Sequence, residues 1–189
     1  MIFFIVLILF VACQRMVELV IAKRNERRLR AMGAYEIGGE HYKWIVLLHA
    51  LFLFVLISEV LLFHKKPAPW FWIPFGVFLI AQVARVWAIM SLGLFWNTKI
   101  IILPGADVVA RGPYRYVRHP NYLIVFLEIL TLPLIFQAYF TAILFTLLNA
   151  VFIIGVRVPD EEKALFEVTN YRERMAHKHR FIPRPPRKT

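Results

Sequence analysis

A single cysteine, Cys13, occurs in 189 residues, and it lies inside an apolar run. That excludes a disulfide framework and a C-x-x-C metal pair. The eight glycines contain no G-x-G, so the dinucleotide fingerprint and the phosphate-binding loop are both missing, which argues against a Rossmann-type enzyme or a kinase. No G-x-S-x-G elbow supports a serine hydrolase. His177 and His179 stand two apart in a basic tail with no Cys or further His nearby, so no metal site is expected. Acidic residues are few, 12 against 23 Lys and Arg, for a net charge of +11. These basic residues form no helix-turn-helix or ribonucleoprotein pattern, so nucleic acid is not an expected partner. They read instead as topology signals and as attraction to anionic lipid.

Apolar residues are abundant. They make up 60% of the chain, above the roughly 45–50% usual in globular proteins, and they gather into runs near the about 20 residues that span a hydrocarbon core. The expected fold is all-α: a polytopic membrane protein of about five transmembrane helices, forming one domain over 1–189. The spans are expected near 1–22, 44–63, 70–90, 122–136 and 139–157. The first run has no basic n-region and no A-x-A pattern, so it reads as a retained helix. The connector HKKPAP suits a helical-hairpin turn, with Trp70 and Trp72 in the interfacial belt. The last two spans form one long apolar stretch, interrupted by Pro133, Gln137 and Tyr139, and should meet in a tight turn near 136–139. The Pro-rich RFIPRPPRKT terminus reads as a surface tail.

Basic residues are unequally shared between the two sides. The segment 23–43 carries six, 91–121 four and the tail from Arg157 nine, whereas the opposite side has Lys65 and Lys66. The positive-inside rule then puts the N-terminus outside and the long polar segments in the cytoplasm. Within the spans lie Arg15, Glu18, His49, Glu59, Arg85 and Glu128. Such groups should face the bundle or a wet cavity, with Arg15 and Glu18 able to pair at i, i+3 and Arg85 with Glu128 across helices.

Two segments carry most of the candidate chemistry. RGPYRYVRHPNY, 111–122, sets aromatic faces and donors on a backbone stiffened by Pro113 and Pro120. Taken alone, it also suits an interfacial anchor. RVPDEEKALFE follows the last span, and on a helix Arg157, Glu161 and Leu165 share one face. Pro159 suits the first turn of a new helix, whose dipole favours carboxylates without any further role.

Together, GPYRYVRHPNY, the apolar hairpin, RVPDEEKALFE, Tyr171 and the terminal FIP closely resemble the isoprenylcysteine carboxyl methyltransferase family, over roughly 87–183 with SLGLFW before the motif. The resemblance implies methyl transfer from S-adenosylmethionine, bound in a pocket formed by the cytoplasmic loop and C-terminal segment, to a lipophilic acceptor entering from the bilayer. By the same resemblance, His119, Pro120, Asn121 and Tyr122, with Tyr114, are the cofactor-contacting motif. Glu161 is the carboxylate closing that pocket, and Arg157 is the acceptor-binding residue, with Arg157 and Glu161 as the catalytic pair. Lys99 and the segment Ala106, Asp107, Val108 and Val109 fall where the family makes further cofactor contacts. Ala106 replaces a His found in many members, and Ile124 replaces a Gly. Bacterial members include enzymes that O-methylate alkylpyrone-type polyketides, so the family resemblance does not settle the acceptor; it implies a carboxylate or enol oxygen, prenylcysteine-like or alkylpyrone-like. Alternatives are a phospholipid N-methyltransferase, which Arg157 suits poorly because an amine calls for an anionic site, and a non-catalytic transporter subunit or scaffold. The sequence sets no oligomeric state.

Overall fold

A computed structural model describes residues 1–182. The last seven residues, most of the expected surface tail together with the end of the FIP motif, lie outside the described residues. Helix α1 runs unbroken over Ile2–Ala31, about 45 Å, and so continues well past the expected span. KRNERRLR is rich in good helix formers, and Arg30 reaches Glu26 one turn back at 2.8 Å, an i, i+4 pair. The basic segment is therefore a helical projection rather than a loop.

Strand β1 (Tyr35–Ile37) follows, then α2 (Gly39–Leu62), α3 (Trp72–Leu92), strand β2 (Ile100–Ile102), α4 (Pro120–Ile135), α5 (Tyr139–Phe152), α6 (Val158–Val168) and α7 (Tyr171–Met175). The two strands pair antiparallel, Tyr35 with Ile102 and Ile37 with Ile100. This ribbon was not legible in the sequence, since each strand is three residues long. Among the described residues, four helical stretches are long and apolar enough to cross a membrane: Ile2–Ala31, Gly39–Leu62, Trp72–Phe95 and Tyr139–Val168. The expected fourth span is the 16-residue α4, about 24 Å long. It lies inside the bundle, where Ile124 packs with Ala81 and Ala88 of α3. The chain is an all-α, polytopic membrane protein.

The turn between α4 and α5 falls at Phe136–Ala138, with Gln137 at φ +57°. Glu59 of α2 accepts from the Thr141 amide (2.9 Å) and hydroxyl (2.6 Å). An intramembrane carboxylate thus caps the N-terminus of α5 and satisfies donors that lipid cannot. A second polar group ties α1, α3 and α4 together: Arg85 Nε donates to Glu128 (2.7 Å), Arg15 donates to Glu18 (2.7 Å), and Arg15 also reaches Glu128. Both pairings expected from the sequence are present. Two arginines and two glutamates leave the cluster neutral, as low-dielectric surroundings require.

The connector after α2 and the α4–α5 turn share one end of the bundle, joined by Ala68 N–H to Ile135 O at 2.9 Å. The ribbon, the segments flanking it and α6–α7 occupy the other end.

Candidate active site

At that second end a cavity of about 410 Å³ enters the bundle. Its α2 wall is the stripe Tyr42, Ile45, Val46, His49, Ala50 and Leu53, which follows helical spacing over eleven residues, about 16 Å. The opposite wall comes from the α3–α4 segment and from α6. Apart from Pro120, every site residue expected from the sequence lies on this wall. Pro120 is buried at the first position of α4, where its fixed φ suits the helix start; it shapes the backbone and does not face the cavity.

Close approach fixes the 111–122 segment. Gly112 sits at φ +58° against Ser91, and a Cβ there would stand 1.9 Å from Ser91 Oγ. The following turn, Gly112–Arg115, buries Tyr114. Burial pushes the Tyr114 phenol up, and the Glu161 charge adds to this, so it remains a neutral hydrogen-bonding group. Tyr114 Oη and Asn121 Oδ1 are buried without a partner among the described residues.

From α5 the helix continues through a wide π-type turn, Ile153–Arg157, straight into α6. Pro159 lacks the N–H of a regular helix and its ring crowds the carbonyl four residues back, here that of Gly155; the wide turn accommodates both. Because no free N-terminus exists at Val158, the simple dipole explanation for the acidic cluster fails. Arg157 and Glu161 do share one face, and Tyr122 joins them: Arg157 Nε donates to Tyr122 Oη (3.2 Å), which donates to Glu161 Oε2 (2.6 Å). Arg157 Nη2 also donates to the Thr98 carbonyl. A guanidinium has five N–H donors, so with two committed, three remain.

His119 is buried, 4% exposed. Its Nε2 donates to Glu162 Oε1 (3.1 Å), and its Nδ1 lies 3.8 Å from Glu161. Sequence reasoning overlooked Glu162. Successive helical residues point about 100° apart, so while Glu161 faces the cavity, Glu162 faces the C-terminal segment and accepts from Arg118 (2.9 Å) and Arg180 (2.7 Å). The amides of Arg118 and His119 donate to the carbonyls of His179 and Arg180, both at 3.0 Å. The 177–181 stretch is thereby strapped over the RHP motif. The doubled Glu was the only signal available in the sequence.

Lys99 is on the wall, yet its ammonium is held by Glu36 (3.1 Å) and Glu26 (3.2 Å). Burial alone would lower its pKa; the two carboxylates outweigh this and raise it. The segment 106–109 is fixed by Asn170, whose Oδ1 accepts from the Val108 amide (2.9 Å) and whose Nδ2 donates to Asp107 (2.6 Å).

Residues 72–167, spanning α3, both motif segments and the acidic cluster, match the Isoprenylcysteine carboxyl methyltransferase (ICMT) family. The chain belongs to the isoprenylcysteine carboxyl methyltransferase family. It is also 46% identical over 164 residues to the uncharacterized protein YpbQ of Bacillus subtilis (strain 168), covering 87% of this chain and 97% of that protein. An uncharacterized protein of Haemophilus influenzae (strain ATCC 51907 / DSM 11121 / KW20 / Rd) is 31% identical over 156 residues, 80% of this chain and 88% of the other. As an ICMT family member with several apolar helices, the chain is a multi-pass membrane protein of the methyltransferase kind. The ICMT match ends at Glu167, so the strap over 177–181 falls outside it.

Proposed function

We propose that the protein transfers a methyl group from S-adenosylmethionine to a carboxylate or enol oxygen of a lipophilic acceptor. The observation that carries this reading is the convergence of Arg157, Tyr122 and Glu161 on one cavity that continues along α2 into the apolar bundle. The cavity volume falls within the range usual for small-molecule sites. Its wall fits the cofactor: the unpartnered Tyr114 Oη and Asn121 Oδ1 offer hydrogen bonds to a nucleoside or amino-acid group, and Glu161 offers negative charge to a sulfonium. S-adenosylmethionine, when bound, supplies an electrophilic methyl group whose leaving atom departs as a neutral thioether.

The chain's own residues then have two tasks. His119, Asn121, Tyr122 and Glu161, with Tyr114 and the 106–109 segment, hold the cofactor. Arg157 uses its remaining N–H donors to orient the acceptor oxygens through charge-assisted contacts. An acid or acidic enol is already ionised near neutral pH, so no strong base is needed, and alignment contributes on the order of 7–11 kcal/mol. Entry from the bilayer is supported at Leu19 of α1 and Val46 of α2, apolar residues of two spans that line the cavity and are 45% and 48% exposed. The catalytic region is 87–183 within a single domain, and the basic end faces the cytoplasm.

Methyl transfer from labelled S-adenosylmethionine to paired long-tailed and short-tailed acids and enols tests the reading. Each buried CH₂ is worth roughly 0.8 kcal/mol, so long tails are expected to react far better at equal concentration. Equal rates for both lengths would remove the lipophilic acceptor, and no saturable cofactor binding would remove the enzyme.

A further inference from the structure

The cavity does not become uniformly apolar with depth. Tyr42 marks its outer level, with Oη 3.2 Å from Thr98 Oγ1, beside the carbonyl that receives Arg157. His49 lies seven residues further along α2 on the same wall, about 10 Å deeper. Its Nδ1 is 2.7 Å from the Ile45 carbonyl. A carbonyl only accepts, so Nδ1 carries the proton, and the Nε2 of a neutral ring is left as an acceptor. Among the described residues Nε2 has no hydrogen-bond partner. Arg15, which lines the same cavity from α1, is 31% exposed although it sits mid-span, and both it and His49 also line a smaller cavity of about 60 Å³.

Helix cohesion alone does not account for this arrangement. Arg85, although it too borders the cavity, makes its Glu128 bonds at 2% exposure, which is how a structural intramembrane ion pair is expected to sit. Arg15 is the more exposed of the two, borders both cavities, and keeps N–H donors beyond its bonds to Glu18 and Glu128. A plain alkyl or prenyl tail lying there would leave these donors and His49 Nε2 desolvated and unpaired, which is unfavourable.

We propose that Arg15 and His49 form a second acceptor subsite, taking a hydroxyl on the acceptor's tail about two turns of α2 deeper than the Tyr42 level, beside which Arg157 is held. A hydroxyl suits both neighbours: it donates to Nε2 and accepts from the guanidinium. This rests on the methyl-acceptor reading above and narrows its substrate class to lipids carrying a hydroxyl partway along the tail.

Direct binding of hexadecanoic acid and 8-hydroxyhexadecanoic acid to the protein in phosphatidylcholine nanodiscs, read by tryptophan fluorescence, tests it. Wild type is expected to favour the hydroxy acid about tenfold. His49→Leu removes the acceptor without touching the ion cluster and is expected to abolish the preference, whereas His49→Gln, which retains an acceptor oxygen, preserves part of it. No preference in wild type, or one unchanged in a folded His49→Leu variant, overturns the subsite. Titration of the same samples with S-adenosylmethionine separates the two readings. Cofactor binding without a hydroxyl preference sinks the subsite alone; a hydroxyl preference without cofactor binding sinks methyl transfer and leaves the subsite.

Discussion

Tyr122 Oη stands between Arg157 and Glu161, accepting from the guanidinium at 3.2 Å and donating to the carboxylate at 2.6 Å. These residues come from different elements, Tyr122 from the first turn of α4 and the other two from the π-type turn and α6. One phenol therefore couples the group assigned to the acceptor with the group assigned to the cofactor.

Tyr122→Phe removes that link while keeping the ring. A hydrogen bond to a charged group contributes about 1.5–3 kcal/mol, so S-adenosylmethionine affinity is expected to fall roughly tenfold or more with helical content unchanged. Calorimetric titration alongside circular dichroism checks this; unchanged affinity would confine Tyr122 to a structural role.

Arg157→Lys keeps the charge and loses the planar fork. Lysine cannot serve Thr98 and Tyr122 while presenting a fork to the acceptor. Turnover is expected to drop by about 100-fold with cofactor affinity little changed, a loss confined to transition-state alignment. Near-normal turnover would reduce Arg157 to a topology signal.

Glu162 predicts an acid-sensitive strap. Burial pushes its carboxyl up, but hydrogen bonds from His119 and Arg180 and the charge of Arg118 outweigh this and hold it at about 2, below the ordinary 4.5. A folded pKa below the unfolded one contributes stability that is complete above about pH 4.5 and is lost as pH falls toward 2. Protection of the Arg118 and His119 amides, which bond to the strap, is expected to decline across that window in hydrogen exchange corrected for intrinsic rates. Glu162→Gln should show weak protection throughout; a wild-type-like profile would contradict the role.

Orientation is tested with single cysteines in a Cys13→Ser background. A cysteine at Lys66 is expected to react with an impermeant reagent on intact cells, and one at Arg174 only after permeabilisation. The reverse pattern would invert the topology inferred from the basic residues.

Much of this protein was legible from residue order alone, because membrane insertion is governed by local composition. Runs of about 20 apolar residues mark the four long apolar helices, though not the shorter α4, and basic flanks mark the end that carries the polar segments. The turn at Gln137 and the pairs Arg15–Glu18 and Arg85–Glu128 were also within reach, since a charge in hydrocarbon must find an opposite one. Helical spacing put Arg157 and Glu161 on one face, and the family resemblance added Tyr122 to them. Other features depended on contacts between distant segments, which no local pattern encodes. The three-residue strands form only because the ends of α1 and α3 bring them side by side. Gly112 is demanded by Ser91, twenty-one residues earlier, and Glu59 is satisfied by Thr141 across the bundle. The separate roles of Glu161 and Glu162 arise where one helix meets the cavity on one face and the C-terminal strap on another. Sequence set which groups must be paired or buried, and tertiary structure chose their partners, because a hydrogen bond depends on a few ångströms of separation that only the packed helices define.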